Sequence, residues 1–344
     1  MKTTLKDIAD ETGYSISTIS RVLNNSSRIS KKTRNEVFSA AKKLNYKVFD
    51  QSIADTNTSL RNVALITDFH EGQFYASFFY GFLQSVKKEG PRISLLNVHN
   101  PKNEIAPFLS QIVDEGYFDG VILFIPELDN THYESILKVV PADYPILSNA
   151  LVDNPRLTTI TFDGYSGGYQ AAAHFEEQNI NKLGIIRGPR NKAESRFRYN
   201  GFRDYIINSE QLDLLWEYEG DFNYNSGIEA FESMLESGVE PEGLFVSNDL
   251  MATGFVDAAV QHGYKIPEQL AVIGYDDLPM CVQTTPKISS VNTDFIKLGM
   301  YSIRELQNKL NDNTGPQNQL SMIPVELIPR ESSVKEKVVA EADK

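Results

Sequence analysis

Ser15-Ile16-Ser17-Thr18-Ile19-Ser20-Arg21-Val22-Leu23-Asn24-Asn25 is the stretch from which the organisation of the chain is read. It has the pattern of a short helix with one buried side. Ser15 suits the cap position, because a serine hydroxyl accepts a free N–H of the opening turn. Ile19, Val22 and Leu23 follow the i, i+3, i+4 spacing of a buried stripe. Ile16, Ser17, Ser20 and Arg21 fall largely outside it. Small hydroxyls and one guanidinium, presented early on a short helix, suit base edges and phosphates.

The flanking residues extend this pattern. Thr4-Leu5-Lys6-Asp7 resembles a capping box, with an acid three residues after a hydroxyl. Leu5, Ile8, Ala9 and Thr12 then share one face of a first helix, and Gly13 provides its left-handed stop. Helix, glycine turn and helix together form a helix-turn-helix pattern. Asn24 to Ser27 make a polar turn. Ser30 caps a third helix that turns Val37, Ala40, Ala41 and Leu44 inward. An all-α head over residues 1–47 is expected. A generic three-helix packing module would show the same pattern, so the charge distribution has to separate the two.

The chain has 344 residues and a net charge of −13, which by itself disfavours a nucleic-acid partner. The charge is unevenly distributed. Residues 1–47 hold ten basic side chains against four acidic ones, a balance of +6, and the remaining residues carry −19. A basic head on an acidic body is expected of a DNA reader whose body stays off the phosphate backbone. Cys281 is the sole cysteine, so no intrachain disulfide is expected. With no long apolar run and no apolar segment at the N-terminus, the reading is a cytoplasmic protein without a membrane partner.

From residue 62 short apolar runs alternate with amphipathic stretches. Strands are read at 63–66, 93–98, 120–125 and 145–147. The intervening helices are marked by Phe78, Phe79, Phe82, Leu83 and Val86, by Ile105, Phe108, Leu109 and Ile112, and by Tyr133, Ile136, Leu137 and Val140. The rhythm then restarts, with strands at 183–186, 243–246 and 271–274 and helices around 195–207, Phe231 with Leu235, and 250–261. Residues 288–291 look like a return toward the first lobe, 295–310 like its last helix, and 322–328 like a final strand. This alternation predicts two doubly wound parallel-sheet lobes in tandem, and ligands of such sheets bind beyond the C-terminal ends of the strands. The expected division is a linker at 48–60, a body at 61–332 and a tail at 333–344. The first lobe would span about 61–160 plus 292–321, and the second 161–291 plus 322–332.

Four blocks of the head are more specific than the pattern requires: Leu5-Lys6-Asp7-Ile8-Ala9, Ser17 to Asn24, Ile29 to Arg34, and Leu44-Asn45-Tyr46. In order and spacing they closely resemble the DNA-binding head of the LacI/GalR family of bacterial transcription regulators. Asp163 to Gly168, Ser195 to Phe202, Val246 to Gly254 and Val272 to Asp277 resemble that family's effector domain, itself similar to periplasmic sugar-binding proteins. The resemblance implies that Ile16, Ser17 and Arg21 face bases, while Ser15, Thr18, Ser20, Asn25 and Thr33 mostly hold phosphates. It also implies a repressor acting as a homodimer on a palindromic double-stranded operator, with a small effector, a sugar or sugar derivative, in the cleft. The linker departs from the family. Val48 replaces the usual proline, Asp55 stands where a minor-groove leucine is expected, and Ile53 is two residues out of register. A plain tether and a family-type hinge helix both remain open here.

Arg198, Asn248 and Asp276 come from three βα units and converge on one cleft edge, a donor–acceptor set suited to vicinal hydroxyls. An Arg–Asp pair that merely holds the lobe is the competing reading. The resemblance makes these three residues effector contacts. Asp68, Phe124 and Asn149, at strand ends of the first lobe, and Phe222 complete the candidate set. Phe74 and Tyr75 are possible entrance residues. A solute-binding protein without a DNA role fits the body but not the basic head. A Rossmann-type enzyme is disfavoured because the glycines at 164–168 lack dinucleotide and P-loop spacing. The five histidines show no metal spacing, and no catalytic set is recognisable, so no cofactor, metal or catalytic residue is expected.

Overall fold

Val63, Ala64, Leu65 and Ile66 are apolar on both faces of their strand, and all four are buried. A strand of this kind needs a covering layer on each side, as in a parallel sheet with helices on both faces. The computed structural model describes residues 5–15, 18, 19, 22, 29–44, 59–86, 90–311 and 318–334, and it has that architecture twice.

In the head, α1 (Leu5–Thr12) and α2 (Lys31–Lys43) pack with helical residues Ile19 and Val22 between them. Ile8, Ala9, Ile19, Val22, Val37 and Ala40 are its buried core. Gly13, at φ +73°, ends α1, and its N–H donates to the Ala9 carbonyl at 2.8 Å. Ser15 Oγ accepts the Thr18 N–H at 3.2 Å, and Ser30 Oγ accepts that of Thr33 at 3.1 Å. Both serines therefore cap as expected.

The first-lobe sheet contains β1 (Asn62–Thr67), β2 (Arg92–Asn97), β3 (Gly120–Phe124), β4 (Ile146–Ser148), β5 (Thr159–Phe162) and β11 (Leu320–Ile323), in the spatial order β11-β5-β4-β3-β1-β2. The second contains β6 (Lys182–Arg187), β7 (Asp213–Glu219), β8 (Gly243–Val246), β9 (Ala271–Asp276), β10 (Ser289–Asn292) and β12 (Glu326–Ile328), in the order β12-β10-β9-β8-β6-β7. The two orders are equivalent. All pairings are parallel except that of β10 with β12. Helices α3 (Gln73–Ser85), α4 (Pro101–Glu115), α5 (Asn130–Val139) and α10 (Phe295–Asn311) accompany the first sheet. Helices α6 (Gly164–Glu177), α7 (Ala193–Asn208), α8 (Tyr224–Ser237) and α9 (Asp249–Gln261) accompany the second.

Reciprocal glycines bring helix pairs into backbone contact. A methyl group at Gly168 on α6 would sit 2.0 Å from the Arg198 carbonyl oxygen on α7, and one at Gly201 would sit 1.9 Å from the Tyr165 carbonyl. Gly227 and Gly254 join α8 to α9 in the same way: a methyl group at either would sit 2.1 Å from a backbone oxygen on the other helix. No larger residue fits these positions without separating the helices.

Several sequence expectations are corrected. The strand expected at 322–328 is two strands, β11 in the first sheet and β12 in the second. Pro324 between them has no N–H to donate to a ladder. The boundaries at 160/161 and 321/322 would cut β5 and β11, and the sheets divide after Phe162 and Ile323 instead. Residues 288–291, read as the return to the first lobe, belong to the second sheet, and the chain crosses only after Asn292. Leu83, expected inside, is 57% exposed, because Phe78, Gly81 and Phe82 set the buried side of α3. Leu137 and Leu235 are likewise exposed. Thr4 and most of the linker lie outside the described residues; Leu60 is buried on the first lobe, and its N–H donates to Gln307 Oε1 at 2.9 Å.

Candidate functional site

The C-terminal ends of both sheets face one cleft of about 410 Å³. That lies within the roughly 300–1,000 Å³ of ordinary small-molecule sites. The structure brings Phe124, Asn149, Arg198, Phe222, Asn248 and Asp276 into its wall. Asp68 is not part of the wall; its carboxylate lies 3.7 Å from His70 Nε2. Phe74 and Tyr75 do line the cleft, and Phe74 packs on Phe124 and Phe295 at ring distances of 5.7 and 5.5 Å.

Arg198 is held from three sides. One terminal nitrogen donates to the Ser247 carbonyl at 2.5 Å, the other lies 3.5 Å from Asp276 Oδ1, and the guanidinium carbon sits 3.7 Å from the centre of the Tyr275 ring. Its Nε is buried and finds no partner within the protein. The Arg–Asp pair of the competing reading is therefore present, and it still leaves the Nε hydrogen of Arg198 unengaged.

Asp276 has φ +110°, and Asp277 after it φ +56°. Two consecutive left-handed non-glycine residues are costly and persist only where neighbours hold them. Here Thr293 Oγ1 donates to the Asp276 carbonyl at 2.9 Å, Arg330 pairs with Asp277 at 2.7 Å, and Asn292 Nδ2 donates to Asp277 Oδ2 at 3.0 Å. The elbow turns Asp276 toward Arg198 and Asp277 toward the crossover. Burial pushes the Asp276 carboxyl above its usual range, and the Arg198 charge pulls it part of the way back. Asp249 is pushed up as well, first by burial and then by the Asp276 charge. It accepts the Ser290 hydroxyl at 2.6 Å and the Leu278 N–H at 2.7 Å, and so braces the same elbow.

Asn248 is largely committed to structure. Its Oδ1 accepts the Met251 N–H at 3.0 Å as the cap of α9, and its Nδ2 donates to the Phe222 carbonyl at 2.8 Å. The ring of Phe222 packs against Gly188, where a methyl group would meet it at 2.1 Å. Asn149, in the first lobe, donates to the Ile160 carbonyl at 2.8 Å and to Ser302 Oγ at 3.0 Å, but its buried Oδ1 has no protein partner.

Sequence reasoning missed Glu127, Lys192, Glu194 and Phe197, all of which line the cleft. Lys192 pairs with Glu127 at 2.5 Å, and the other Glu127 oxygen is buried without a partner. Glu194 accepts the Leu151 N–H at 2.8 Å, and burial raises its carboxyl. Glu194 and Arg198 are four apart at the start of one helix, a spacing that gives them a shared face and could have flagged Glu194.

In the head, Ser15, Thr18 and Thr33 are described, with the Ser15 and Thr18 hydroxyls 2.9 Å apart. Ile16, Ser17, Ser20, Arg21 and Asn25 lie outside the described residues, as do Val48, Ile53 and Asp55 of the linker. Among the described residues no His/Cys/Asp/Glu group could hold a metal, and no helix is long and apolar enough to cross a membrane.

A small helical head followed by two like-ordered, mostly parallel sheets around a cleft is a distinctive combination, and the chain matches known proteins over both parts. Residues 4–48 match the model of bacterial regulatory proteins of the lacI family, and residues 172–333 match the periplasmic binding protein-like domain. The head therefore carries the DNA-binding domain of the lacI family of bacterial regulatory proteins. Relatives of this chain include the HTH-type transcriptional repressor PurR of Haemophilus influenzae, 27% identical over 339 residues, with 96% of this chain and 98% of the relative covered. The ribose operon repressor of Escherichia coli K12 is 26% identical over 333 residues, covering 94% and 97%. Among solved structures, the transcriptional regulator CelR–cellobiose complex has a TM-score of 0.68 at 24% identity, covering 96% of this chain and all of that one. The Lac repressor dimer bound to operator and the anti-inducer ONPF has a TM-score of 0.68 at 24% identity, covering 97% and 100%. Both share the fold of this chain.

Proposed function

We propose that this chain is a transcriptional repressor that binds a palindromic operator as a homodimer and responds to a small uncharged, hydroxyl-rich effector, a sugar or sugar derivative. The observation that carries the reading is the largely buried Arg198–Asp276 pair sharing an aromatic-lined cleft with Asn149 of the other lobe, with Arg198 Nε and Asn149 Oδ1 both unengaged by the protein. A hydroxyl is both donor and acceptor, so neighbouring hydroxyls on one ring can meet both atoms. Aromatic faces suit the apolar faces of a sugar ring. The relatives named PurR and ribose operon repressor are repressors, which favours repression for this chain.

The charge state of the wall argues for an uncharged effector. Lys192 is neutralised by Glu127, and Arg198 by Asp276. Glu71, Glu194 and Asp221 add further acid without further cations. Two helix N-termini at the cleft are already capped by the chain: Asp163 Oδ1 accepts the Ser166 N–H at 3.0 Å, and Asn248 caps α9. Exposed apolar side chains on the first lobe, Tyr80 and Leu83 of α3 and Leu95 of β2, support a twofold partner surface. A repressor bound to the bacterial chromosome works in the cytoplasm.

The test has two arms. Full-length protein is incubated with a random-sequence duplex pool, and retained DNA is sequenced after several rounds. A palindromic consensus is expected, and retention without sequence preference would overturn the DNA reading. Thermal-shift measurements against mono- and oligosaccharides then identify a stabilising sugar, which is added to the operator-binding assay. A sugar that stabilises the protein without changing operator affinity would overturn the regulatory link.

A further inference from the structure

Three side chains at the start of α7 reach across the cleft to the first lobe. Lys192 Nζ lies 2.5 Å from Glu127 Oε1. One terminal nitrogen of Arg196 meets both carboxylate oxygens of Asp153, at 2.7 and 2.6 Å. Between them, Glu194 Oε1 accepts the Leu151 N–H at 2.8 Å. Glu127 follows β3, and Leu151 and Asp153 follow β4, so all three partners stand on loops of the first lobe. On the opposite rim, Gln73 Oε1 at the start of α3 accepts the Met280 N–H of the second lobe at 2.8 Å. One rim is thus tied by ion pairs and the other by an uncharged bond.

Helical spacing explains how one segment does two things. Lys192 and Arg196 are four apart, as are Glu194 and Arg198, so each pair shares a face. The first pair grips the rim. The second faces the cleft. Both sides of the rim contact are braced: the second terminal nitrogen of Arg196 donates to the Arg190 carbonyl at 2.7 Å, and Asn130 Nδ2 donates to the Asp153 carbonyl at 2.5 Å. Helix α7 cannot slide on α6, because Gly168 and Gly201 place the two backbones in contact.

We infer that Lys192, Glu194 and Arg196 form a clasp that holds the two lobes closed without an effector, and that α7 links this clasp to Arg198. Release of the rim and displacement of Arg198 are then one movement of one helix. The ion pairs are partly exposed, so salt screens them and weakens the clasp, while the Gln73–Met280 rim is indifferent to salt. The clasp sets how far the cleft is already closed when an effector arrives. It requires neither DNA nor effector and can fail while the regulatory reading stands.

Hydrogen exchange on the full-length, effector-free protein tests it. In a K192Q/R196Q variant, amides at Leu151 and Asp153 and in peptide 122–128 should exchange roughly threefold to thirtyfold faster, the range two such ion pairs support. Raising sodium chloride from about 50 to about 500 mM should do the same to the native chain and add little to the variant. D153N, outside the cleft wall, should give a smaller increase at the same amides. The exchanged pair E127K/K192E should restore slow exchange. Peptides 243–246 and 271–276 in the second sheet should not change. Unchanged exchange at Leu151 in the double variant and across the salt range would overturn the clasp. So would an increase spread equally over the second sheet, which would mean general loss of stability.

Discussion

Asn149 and Arg198 face one cleft from opposite lobes, and each keeps a buried polar atom, Oδ1 and Nε, that no protein group engages. Buried polar atoms without partners are rare because each forfeits its hydration. A ligand that engages both also joins the lobes. In a thermal-shift assay, N149A and D276A should each lose most of the stabilisation given by a sugar that stabilises the native chain. Unchanged stabilisation in either variant would remove that residue from the site.

The wall should also discriminate by charge. A sugar that stabilises the native chain should lose at least about tenfold in affinity when tested as its phosphate ester, since each 1.4 kcal/mol of unpaired-anion cost is tenfold. Titration calorimetry of the matched pair measures this. Equal or tighter binding of the phosphorylated form would contradict the account of Lys192 and Arg198 as already neutralised.

Glycine at the α6–α7 contact is a strict requirement. G168A and G201A should each destabilise the protein by about 3 kcal/mol or more, because backbones rather than side-chain ends must move apart. Urea unfolding followed by circular dichroism reads the loss. G238A offers a contrast, since a methyl there meets nothing within 4 Å; its cost should come only from the φ of +67°.

The acidic elbow makes stability depend on pH in an unusual direction. Asp249 and Asp276 have carboxyls raised in the folded protein, mainly by burial. The native state therefore holds protons that the unfolded chain has already released. Their contribution to stability is fully present below the ordinary carboxylate range and falls as pH rises through the raised values. The stability difference between the native chain and D249N should therefore shift against the native chain as pH rises from about 4 to about 8. Urea unfolding of both proteins at several pH values measures it, and a pH-independent difference would refute the assignment.

In the head, R21A should abolish discrimination between operator and random duplex while leaving sugar-induced stabilisation intact. Losing one bidentate guanine contact costs about 1–3 kcal/mol. Fluorescence anisotropy with both duplexes is the measurement. Retained discrimination would take Arg21 out of the groove.

Much of this was legible in the chain. The two lobes followed from buried apolar runs such as Val63 to Ile66, whose period leaves no polar face. Arg198 and Asp276 were legible because turns after parallel strands collect at one sheet edge. The strands Thr159–Phe162 and Asp213–Glu219 were not. The first is half threonine, and the second alternates with charged residues as an edge strand does. Glu127, Lys192 and Glu194 escaped because charged residues in loops and first turns usually belong to solvent. Only the approach of the other lobe, a contact between distant segments, makes them part of a wall. Asp68 was misjudged for a related reason: following a strand places a residue near the cleft without aiming it inward.

The successive left-handed backbones at Asp276 and Asp277 divide the two lobes by how freely they can change. On the second-lobe side the elbow is bound to Arg198, Thr293, Asn292 and Arg330, so a substitution there disturbs several bonds together. Much of the first-lobe wall consists of side chains such as Phe124 and Leu151, whose exchange for another apolar group breaks no side-chain hydrogen bond. Descendants of this sequence can therefore acquire new ligand preferences by varying the first lobe while the second preserves the anchoring grip. Directed evolution toward a chosen ligand is best begun at Phe124, Leu151 and Phe74.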